Sequence, residues 1–400
     1  MSDSRLILTR YKAGVLSCYM EKNRIEAVSY YNEQAAGNIG DIFVAKVINV
    51  VSNIQAAFID YQPGKRGFLP IDQAYTPVLI NRSYDGRILA GDEILVQLEK
   101  EAIRTKDPVF TMNLSLSGKY CVVTNGNTKK GVSAKISRQN KDCLYQLLPQ
   151  DTPYGVVVRT NAEQLIAADN LQLFENECEQ LLHTMDDLLQ KGVHRTCYSK
   201  VYQASETYLT DLRDNFYTSA QVPIVTDDAI IYEKLSDFCK LYMPEHVNAL
   251  TLYQDDSYSL KKLYGLETKL NELLSEKVWL KSGAYLVIEQ TEAMYVIDVN
   301  SGKNTSKKQN DTYIYNINIE AAREIMRQLR LRNLSGIIMV DFINMDKDEL
   351  QQSLMQELKQ LAKQDKIPTT IVDMTALGLV EITRKKTKKS FKSQIQETFS

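Results

Sequence analysis

Two aspartates lie in apolar runs of the C-terminal third, where a carboxylate needs a positive partner. Asp298 ends the run MYVIDV and Asp341 lies within GIIMVDFI. A carboxylate that loses water is costly unless a cation replaces the solvent. Carboxylates that converge at the ends of neighbouring strands form a hard oxygen site suited to Mg²⁺. Such a metal polarises a phosphoryl oxygen and lowers the pKa of a bound water, so the pair predicts a metal site for phosphoryl chemistry.

A polar residue follows the first aspartate at strand spacing. Asn300 lies two residues after Asp298, and alternate residues of a strand share one face. Its amide could therefore orient a water or a phosphate beside the carboxylate. The spacing fits equally well a turn that begins at Asn300 and continues through Ser301 and Gly302. Each aspartate, taken alone, also fits a salt bridge or a loop cap, so the sequence leaves these interpretations open.

Three arginines recur at helical spacing between the two aspartates. Arg323, Arg327 and Arg330 share one face of a predicted helix. The opposite apolar stripe consists of Ile319, Ala322, Met326 and Leu329. The arginines could form a phosphate-binding ridge beside the metal, or a solvated face paired with Glu320 and Glu324. We favour the solvated face for Arg330 and leave the other two open.

Aromatic and basic residues alternate in a β-rich segment near the N-terminus. Phe58 and Phe68 lie close to Lys65 and Arg66, and Lys106 follows the last predicted strand of that segment. Bases stack on aromatic faces while basic side chains meet phosphates, so this set predicts a surface for single-stranded nucleic acid. A phenylalanine on a strand is more often part of the core, and that interpretation stays open.

Two arginines follow apolar strands at loop positions. Arg138 lies in ISR, and Arg159 with Thr160 lies in VVVRTN. An arginine beside a hydroxyl can fork onto a terminal phosphate. The signal is weak by itself because most surface arginines are simply solvated.

These residues require a mixed α/β fold of more than one domain. Period-two alternation predicts short strands over the first hundred residues, and glycine-punctuated strands at 41–49, 55–60 and 94–99 predict a small barrel. Strands are predicted at 120–124 and 154–158, and helices at 170–189 and 199–215. The last third predicts a hairpin of 285–290 with 294–299. It continues with a helix at 316–332, a strand at 336–343, a helix at 348–366 and strands at 370–374 and 379–384.

The bulk composition excludes several classes of protein. Acidic and basic residues nearly balance, with a net charge of -2, so a polyanion would have to be bound by local basic patches. With only three histidines and six cysteines that form no CxxC pair, we expect no zinc site. The N-terminus has no apolar core of a signal peptide, and no run is long enough to span a bilayer. The expected compartment is the cytoplasm.

Two long segments resemble the catalytic region of the bacterial ribonuclease E/G family. They are KVWLKSGAYLVIEQTEAMYVIDVNSG and NIEAAREIMRQLRLRNLSGIIMVDFINM. The segment FVAKVINVVSNIQAAFIDYQPGKRGFLP resembles the OB-fold RNA-binding insert of that family. ISR and VVVRTN resemble its sensor of an RNA 5′-monophosphate, and LGLVEITRKKTKKS resembles the end of its nuclease subdomain. The resemblance covers nearly the whole chain in the expected order.

The resemblance implies a fold with an interrupted first subdomain. Residues 1–36 and 208–272 would form an RNase H-like subdomain, and residues 37–112 an OB-fold β-barrel. The 5′-sensor would occupy 113–207, and a DNase I-like catalytic subdomain 273–400.

The resemblance also implies roles for individual residues. Asp298 and Asp341 fall on the magnesium ligands of the family, and Asn300 on the asparagine that helps to place the scissile phosphate. The RNA contacts of the OB fold fall on Phe58, Phe68 and Lys106. The pocket for the 5′-phosphate falls on Val122, Arg138, Arg159 and Thr160, with Val122 acting through packing or its backbone.

The implied activity is Mg²⁺-dependent cleavage within single-stranded RNA, stimulated by a 5′-monophosphate, in RNA processing and mRNA decay. A non-catalytic RNA-binding protein of the same ancestry is the alternative, and an unrelated α/β metabolic enzyme is a third hypothesis. Members of the family usually continue into a cysteine-rich segment in which paired chains share zinc. Such cysteines do not follow here, so we expect no zinc-linked dimer, and another homo-oligomer stays open.

Overall fold

The protein is a mixed α/β structure built from several sheets. The structure, a computed structural model, describes residues 4–33, 37–72, 75–102, 106–215, 222–302 and 311–396. The chain divides into two compact units. The first contains Met1–Gln34, Ser219–Asp237 and Glu245–Ser400, and the second contains Ala35–Thr218 and Phe238–Pro244.

The strands are short, as the alternating sequence predicts. In chain order they are β1 (Ser4–Tyr11), β2 (Gly14–Glu21), β3 (Arg24–Asn32), β4 (Ile42–Val51), β5 (Ala56–Gln62), β6 (Lys65–Pro70), β7 (Glu93–Lys100), β8 (Val109–Thr111), β9 (Ser115–Ser117), β10 (Cys121–Thr124), β11 (Gly131–Val132), β12 (Gly155–Val158), β13 (Lys200–Tyr202), β14 (Ile224–Thr226), β15 (Leu250–Leu252), β16 (Lys277–Trp279), β17 (Tyr285–Gln290), β18 (Met294–Asn300), β19 (Gly336–Asp341), β20 (Thr369–Met374) and β21 (Leu379–Arg384).

The helices are concentrated after the barrel segment. In chain order they are α1 (Arg138–Gln146), α2 (Glu163–Ala167), α3 (Gln172–Gly192), α4 (Thr207–Asn215), α5 (Ala229–Tyr242), α6 (Leu260–Leu263), α7 (Leu266–Leu274), α8 (Asp311–Leu331), α9 (Asp348–Lys363) and α10 (Phe391–Gln396). Within the part of the chain that the structure describes, no helix combines the length and the apolar character needed to cross a bilayer.

The second unit contains a closed five-stranded barrel, which confirms the barrel predicted from the sequence. Strands β4, β5, β6, β8 and β7 pair in that order, and β4 closes the barrel by pairing with β7. The interior is filled by alternate residues such as Phe43, Ile59 and Phe110, which are fully buried. Gly67 is needed on β6 because a Cβ there would lie 2.5 Å from the ring of Phe110.

A smaller sheet of the same unit follows the barrel in sequence. Its strand order is β11-β12-β10-β9, and α3 packs on one face. Cys121, Val158 and Phe174 are buried in the core between them. The carboxylate of Glu177 on α3 accepts hydrogen bonds from the backbone N–H groups of Lys119, Tyr120 and Cys121. The turn that leads into β10 is thereby fixed to the helix.

The first unit has two sheets. In one, β15, β14 and β1 pair in parallel, and β2 and β3 extend it as antiparallel strands. The other has the order β16-β17-β18-β19-β21-β20, and β18 with β19 is its single parallel pair among the described residues. Helix α8 makes the crossover between those two strands, as a parallel connection requires. Helices α8 and α9 form one core with the alternate residues of this sheet, including Ile297, Val340 and Ile382.

One predicted helix is wrong in its first half. The sequence predicts a helix at 199–215, but β13 occupies Lys200–Tyr202 and pairs with β4, and the helix begins at Thr207. Pairing with the edge of an existing sheet overrides the weak local preference of this segment. The division into four subdomains, built from five segments of the chain, is finer than the two compact units and stays a prediction.

Candidate functional site

The two aspartates lie side by side on adjacent strands. Asp298 on β18 and Asp341 on β19 are direct Cα partners in the parallel register. Neighbouring strands lie about 4.8 Å apart, and residues in register project to the same side. The flanking residues Ile297, Val299 and Val340 point into the core, so both carboxylates project from the opposite face of the sheet. The convergence expected from the sequence is therefore present in the fold.

The expected burial of these carboxylates is wrong. Asp298 and Asp341 are both exposed, although each lies in an apolar run. Strand alternation explains the difference, because every second residue of the run faces the helices while the aspartates face away from them. Desolvation therefore does not select for a cation here. Two like charges side by side on adjacent strands repel each other, and that repulsion favours a bound cation instead.

Neither carboxylate is neutralised within the described part of the chain. Among those residues, no lysine or arginine forms an ion pair with Asp298 or Asp341. The Asn300 side chain donates from Nδ2 to Oδ2 of Asp298 over 2.6 Å. Asn300 is the last residue of β18 and shares the face of Asp298, so the strand interpretation of their spacing is confirmed. A turn follows directly, with Gly302 at φ 74°.

The donor set suits magnesium better than zinc. Among the described residues, no group of three or more histidine, cysteine or acidic side chains could hold a metal. Asp298, Asp341 and the Asn300 amide lie together at the ends of the two adjacent strands, and Glu381 on β21 shares the same face of the sheet. Mg²⁺ is commonly held by one or two carboxylates and completes its octahedral shell with water and substrate phosphate oxygens. The residues present therefore fit a magnesium ion.

The arginines of α8 lie on the other side of this sheet. Helix α8 packs against the buried face, whereas the carboxylates project from the opposite one. Arg323 Nε pairs with Glu357 Oε1 at 2.9 Å, and Arg327 pairs with Glu324 Oε1 at 3.0 Å and with Glu26 Oε2 at 3.2 Å. The solvated-face interpretation fits Arg323, whose side chain is 63% exposed. Arg327 is only 17% exposed and is held between Glu324 and Glu26. A phosphate ridge beside the carboxylates is supported for neither.

The barrel carries an aromatic pair on its outer surface. Phe58 and Phe68 are Cα partners on β5 and β6, with ring centroids 5.9 Å apart. Both are half-buried, and the interior positions are taken by their neighbours in sequence, so neither belongs to the barrel core. The guanidinium of Arg66 lies 5.2 Å from the Phe58 ring and pairs with Asp107. Lys106, next to that aspartate in sequence, is exposed.

The small sheet places two of the four predicted sensor residues on one face. Val122 on β10 is the Cα partner of Val157 on β12, and Arg159 follows Val157 at the same-face spacing. Arg159 donates from Nη1 to the carbonyl of Gly118 over 2.6 Å, and its Nη2 lies 2.8 Å from Oδ2 of Asp214. The guanidinium is thus held in a fixed orientation beside Val122.

The other two predicted sensor residues lie at the starts of short helical segments and not in loops as expected, since α1 begins at Arg138 and a 3-10 turn begins at Thr160. Thr160 Oγ1 is 3.0 Å from Oγ of Ser133, which follows β11. Arg138 is the exposed first residue of α1. The start of α1 is tied to the segment after Thr160, because Glu163 accepts from the backbone N–H of Ser137. The segments that begin at Arg138 and Thr160 are therefore held together.

Asp214 is a residue that sequence reasoning missed. Burial by itself would raise its pKa, but hydrogen bonds from Arg213 and Arg159 outweigh this and hold the pKa below the usual range. It is therefore an anion on the guanidinium of Arg159, where a phosphate would be expected to bind. No local pattern marks this aspartate, since it lies in an ordinary polar helix, and only the fold brings it to Arg159.

The chain is similar to ribonucleases over most of its length. The sequence model of the Ribonuclease E/G family matches residues 115–387. Ribonuclease G of Salmonella typhimurium is 31% identical over 386 residues, which cover 93% of this chain and 78% of that protein. Ribonuclease G of Escherichia coli is 30% identical over 386 residues, with the same two shares. Ribonuclease E of Haemophilus influenzae is 30% identical over 369 residues, 89% of this chain and 38% of that protein.

Proposed function

Because this chain belongs to the ribonuclease E/G family, we propose that it is an endoribonuclease that cuts single-stranded RNA with Mg²⁺ held by Asp298 and Asp341. The observation that supports this most directly is the parallel pairing of the two aspartates. It brings two exposed carboxylates together without a lysine or arginine partner among the described residues. A divalent cation would supply the missing positive charge and would in turn bind an RNA phosphate.

The side chains of this site would position the metal and the substrate and would not themselves react. Asp298 and Asp341 would hold the metal, and the Asn300 amide, already bonded to Asp298, would keep that carboxylate oriented and meet the scissile phosphate. The bound metal would supply an activated water and polarise the phosphoryl oxygen. No side chain of the chain needs to act as the nucleophile. The expected products are one fragment with a 5′-phosphate and one with a 3′-hydroxyl.

The second unit would bind the substrate. Phe58 and Phe68 would stack bases, and Lys106 would meet the phosphate backbone. Arg138, Arg159 and Thr160, with Val122 beside them, would bind a 5′-monophosphate. The RNA-binding surfaces and the carboxylate pair thus serve one reaction, as expected for RNA processing and mRNA decay in the cytoplasm.

Removal of the metal tests the proposal. A single-stranded oligoribonucleotide with a 5′-monophosphate should be cut internally in Mg²⁺, left intact in excess chelator, and cut again once Mg²⁺ is restored. The measurement is the fraction cleaved against time at several protein concentrations. Salt-sensitive binding without cleavage in saturating Mg²⁺ would instead show a non-catalytic RNA-binding protein. Absence of RNA binding would point to an enzyme of another kind.

The 5′-phosphate pocket gives a separate prediction. Arg159→Ala should slow cleavage of a 5′-monophosphorylated substrate about 10- to 100-fold, the worth of a charged hydrogen bond, and leave the 5′-hydroxyl substrate nearly unaffected. The measurement is the ratio of the two cleavage rates, which should fall towards one. Arg195→Ala removes an exposed arginine of the same unit and should keep the wild-type ratio. An unchanged ratio in Arg159→Ala would remove this residue from the pocket.

A further inference from the structure

An exposed aromatic pair lies on the same sheet as the two aspartates. Trp279 is the only tryptophan of the chain, and 64% of its surface is exposed on the edge strand β16. Tyr285 on β17 is its Cα partner, and the two ring centroids are 5.2 Å apart with the planes inclined at 58°. The ammonium of Lys277 lies 4.1 Å from the Trp279 ring centroid and 3.6 Å from that of Tyr285. The three side chains form one cluster, the Trp279 cluster.

The composition of this cluster indicates a nucleic-acid ligand. A single exposed apolar side chain is ordinary on a protein surface. Here two aromatic rings are held together with a lysine, and the larger ring presents most of its surface to solvent. An aromatic face accepts any base, and a lysine beside it meets a phosphate. An apolar protein segment would pack against the rings but would leave the lysine without a counter-charge.

The strand register places the cluster beside the carboxylate pair. Tyr285 is the Cα partner of Asn300, and Val287, two residues further along β17, is the partner of Asp298. Trp279, Tyr285 and Asn300 therefore occupy one row across three adjacent strands and share a face. At about 4.8 Å between strands, Trp279 lies roughly 10 Å from Asn300. A nucleotide on the cluster would be close to a phosphate bound at the carboxylates.

We propose that Trp279 and Tyr285 form a stacking platform for an RNA base beside the scissile phosphate, with Lys277 contacting the backbone. The proposal rests on the nuclease function, because it names how the strand is held at that site. Trp279 is a positioning residue and does not touch the reacting atoms. Because stacking accepts every base, the platform holds the strand with little sequence preference.

The single tryptophan gives a direct binding assay. In excess chelator, where cleavage does not interfere, titration with a single-stranded oligoribonucleotide should quench the Trp279 emission under selective tryptophan excitation. Oligonucleotides that carry one abasic nucleotide at successive positions should show one position at which quenching is lost. Unchanged emission on saturation with RNA, with binding confirmed by anisotropy of a labelled strand, would overturn the proposal. Emission that responds to protein concentration and not to RNA would overturn it in favour of a protein partner.

Steady-state kinetics separate positioning from a structural role. Trp279→Ala should raise KM about 5- to 100-fold, as loss of one stacked base does, with kcat within about twofold. Trp279→Phe should restore most of the affinity, because a smaller ring still stacks. Leu263→Ala, which removes an exposed leucine from α6 of the same unit, should match the wild type. A fall in kcat without a change in KM would contradict the platform.

A double-mutant comparison tests whether the affinity lost in Trp279→Ala comes from stacking on one particular base. The abasic substrate and Trp279→Ala should each weaken binding, and together they should cost no more than either alone. Additive effects would show that the abasic position is recognised elsewhere. If RNA binding left the Trp279 emission unchanged but the wild-type protein still cleaved RNA only in Mg²⁺, the platform would be overturned and the nuclease proposal would stand. Quenching without any cleavage in Mg²⁺ would overturn the nuclease proposal and leave the Trp279 cluster as an RNA-binding surface only.

Discussion

Asp298→Asn and Asp341→Asn are each expected to lower the single-turnover cleavage rate roughly a thousandfold or more. Such a loss corresponds to about 4 kcal/mol of transition-state stabilisation, which is within what a bound metal contributes. Asparagine keeps the shape of the side chain and removes its charge. Because both aspartates are exposed on the sheet face away from the core, the fold should tolerate the change.

RNA binding should survive these two substitutions. The aromatic and basic surfaces that hold the strand remain in place, so the dissociation constant in chelator should change little. Asp256→Asn removes another exposed carboxylate of the same unit and should cleave at the wild-type rate. Wild-type cleavage by both site variants would refute the metal assignment. A parallel loss of RNA binding would show that the substitutions disturb more than the metal.

Asp365→Asn is expected to destabilise the first unit by about 3–5 kcal/mol, because it leaves a buried arginine without its counter-charge. Asp365 and Arg384 expose only 1% and 2% of their side chains, and Nε of Arg384 lies 2.8 Å from Oδ2 of Asp365. Arg384 also donates to the carbonyl of Leu334, just before β19. The pair therefore anchors the strand that carries Asp341.

Denaturant unfolding would measure this loss of stability, with the emission of Trp279, which lies on the same sheet, as the signal. Arg323→Ala breaks a more exposed ion pair, with Glu357, and should cost less than about 1 kcal/mol. If Asp365→Asn were no more costly than that control, the buried pair would not stabilise the sheet.

The same pair predicts a dependence on pH. Burial by itself would raise the pKa of Asp365, but hydrogen bonds from Arg384 and from the backbone of Ile367 outweigh it and lower the pKa. The pKa of Asp365 in the folded state lies below its unfolded value of about 4. The stability that the ion pair contributes is therefore fully present above the unfolded pKa. It is lost as the pH falls through the folded-state pKa. The difference between wild type and Asp365→Asn should therefore shrink in acid.

Much of the final sheet could be predicted from sequence alone. The strands Tyr285–Gln290 and Leu379–Arg384 have the predicted bounds, because clear turn signals flank short alternating runs. Helix α8 begins earlier than predicted, at Asp311, since the apolar stripe becomes regular only further along. The meeting of Asp298 with Asp341 also follows from the sequence, given that strands joined by a helical crossover pair in parallel.

The sequence could not show which side of a strand faces the solvent. An aspartate inside an apolar run suggested burial, but the helices cover only one face of this sheet, so alternate positions remain exposed. Asp214 reaches Arg159 through tertiary structure alone, and no local pattern marks it. Trp279 lies on a short edge strand whose three residues give no periodicity, and a tryptophan is usually assigned to a core. Contacts between distant segments decide all three cases.

The crossover through α8 would also link binding of the proposed metal ion to the folding of the chain. Asp298 and Asp341 belong to strands that precede and follow a whole helix, so an unfolded chain does not hold them together. A divalent ion held by both aspartates would therefore bind the native state and have little affinity for the separated segments. The stabilisation that ion binding would add to the folded state grows with the logarithm of the ion concentration once that concentration exceeds the dissociation constant. A local opening of β19 would then separate the two carboxylates and release a bound ion.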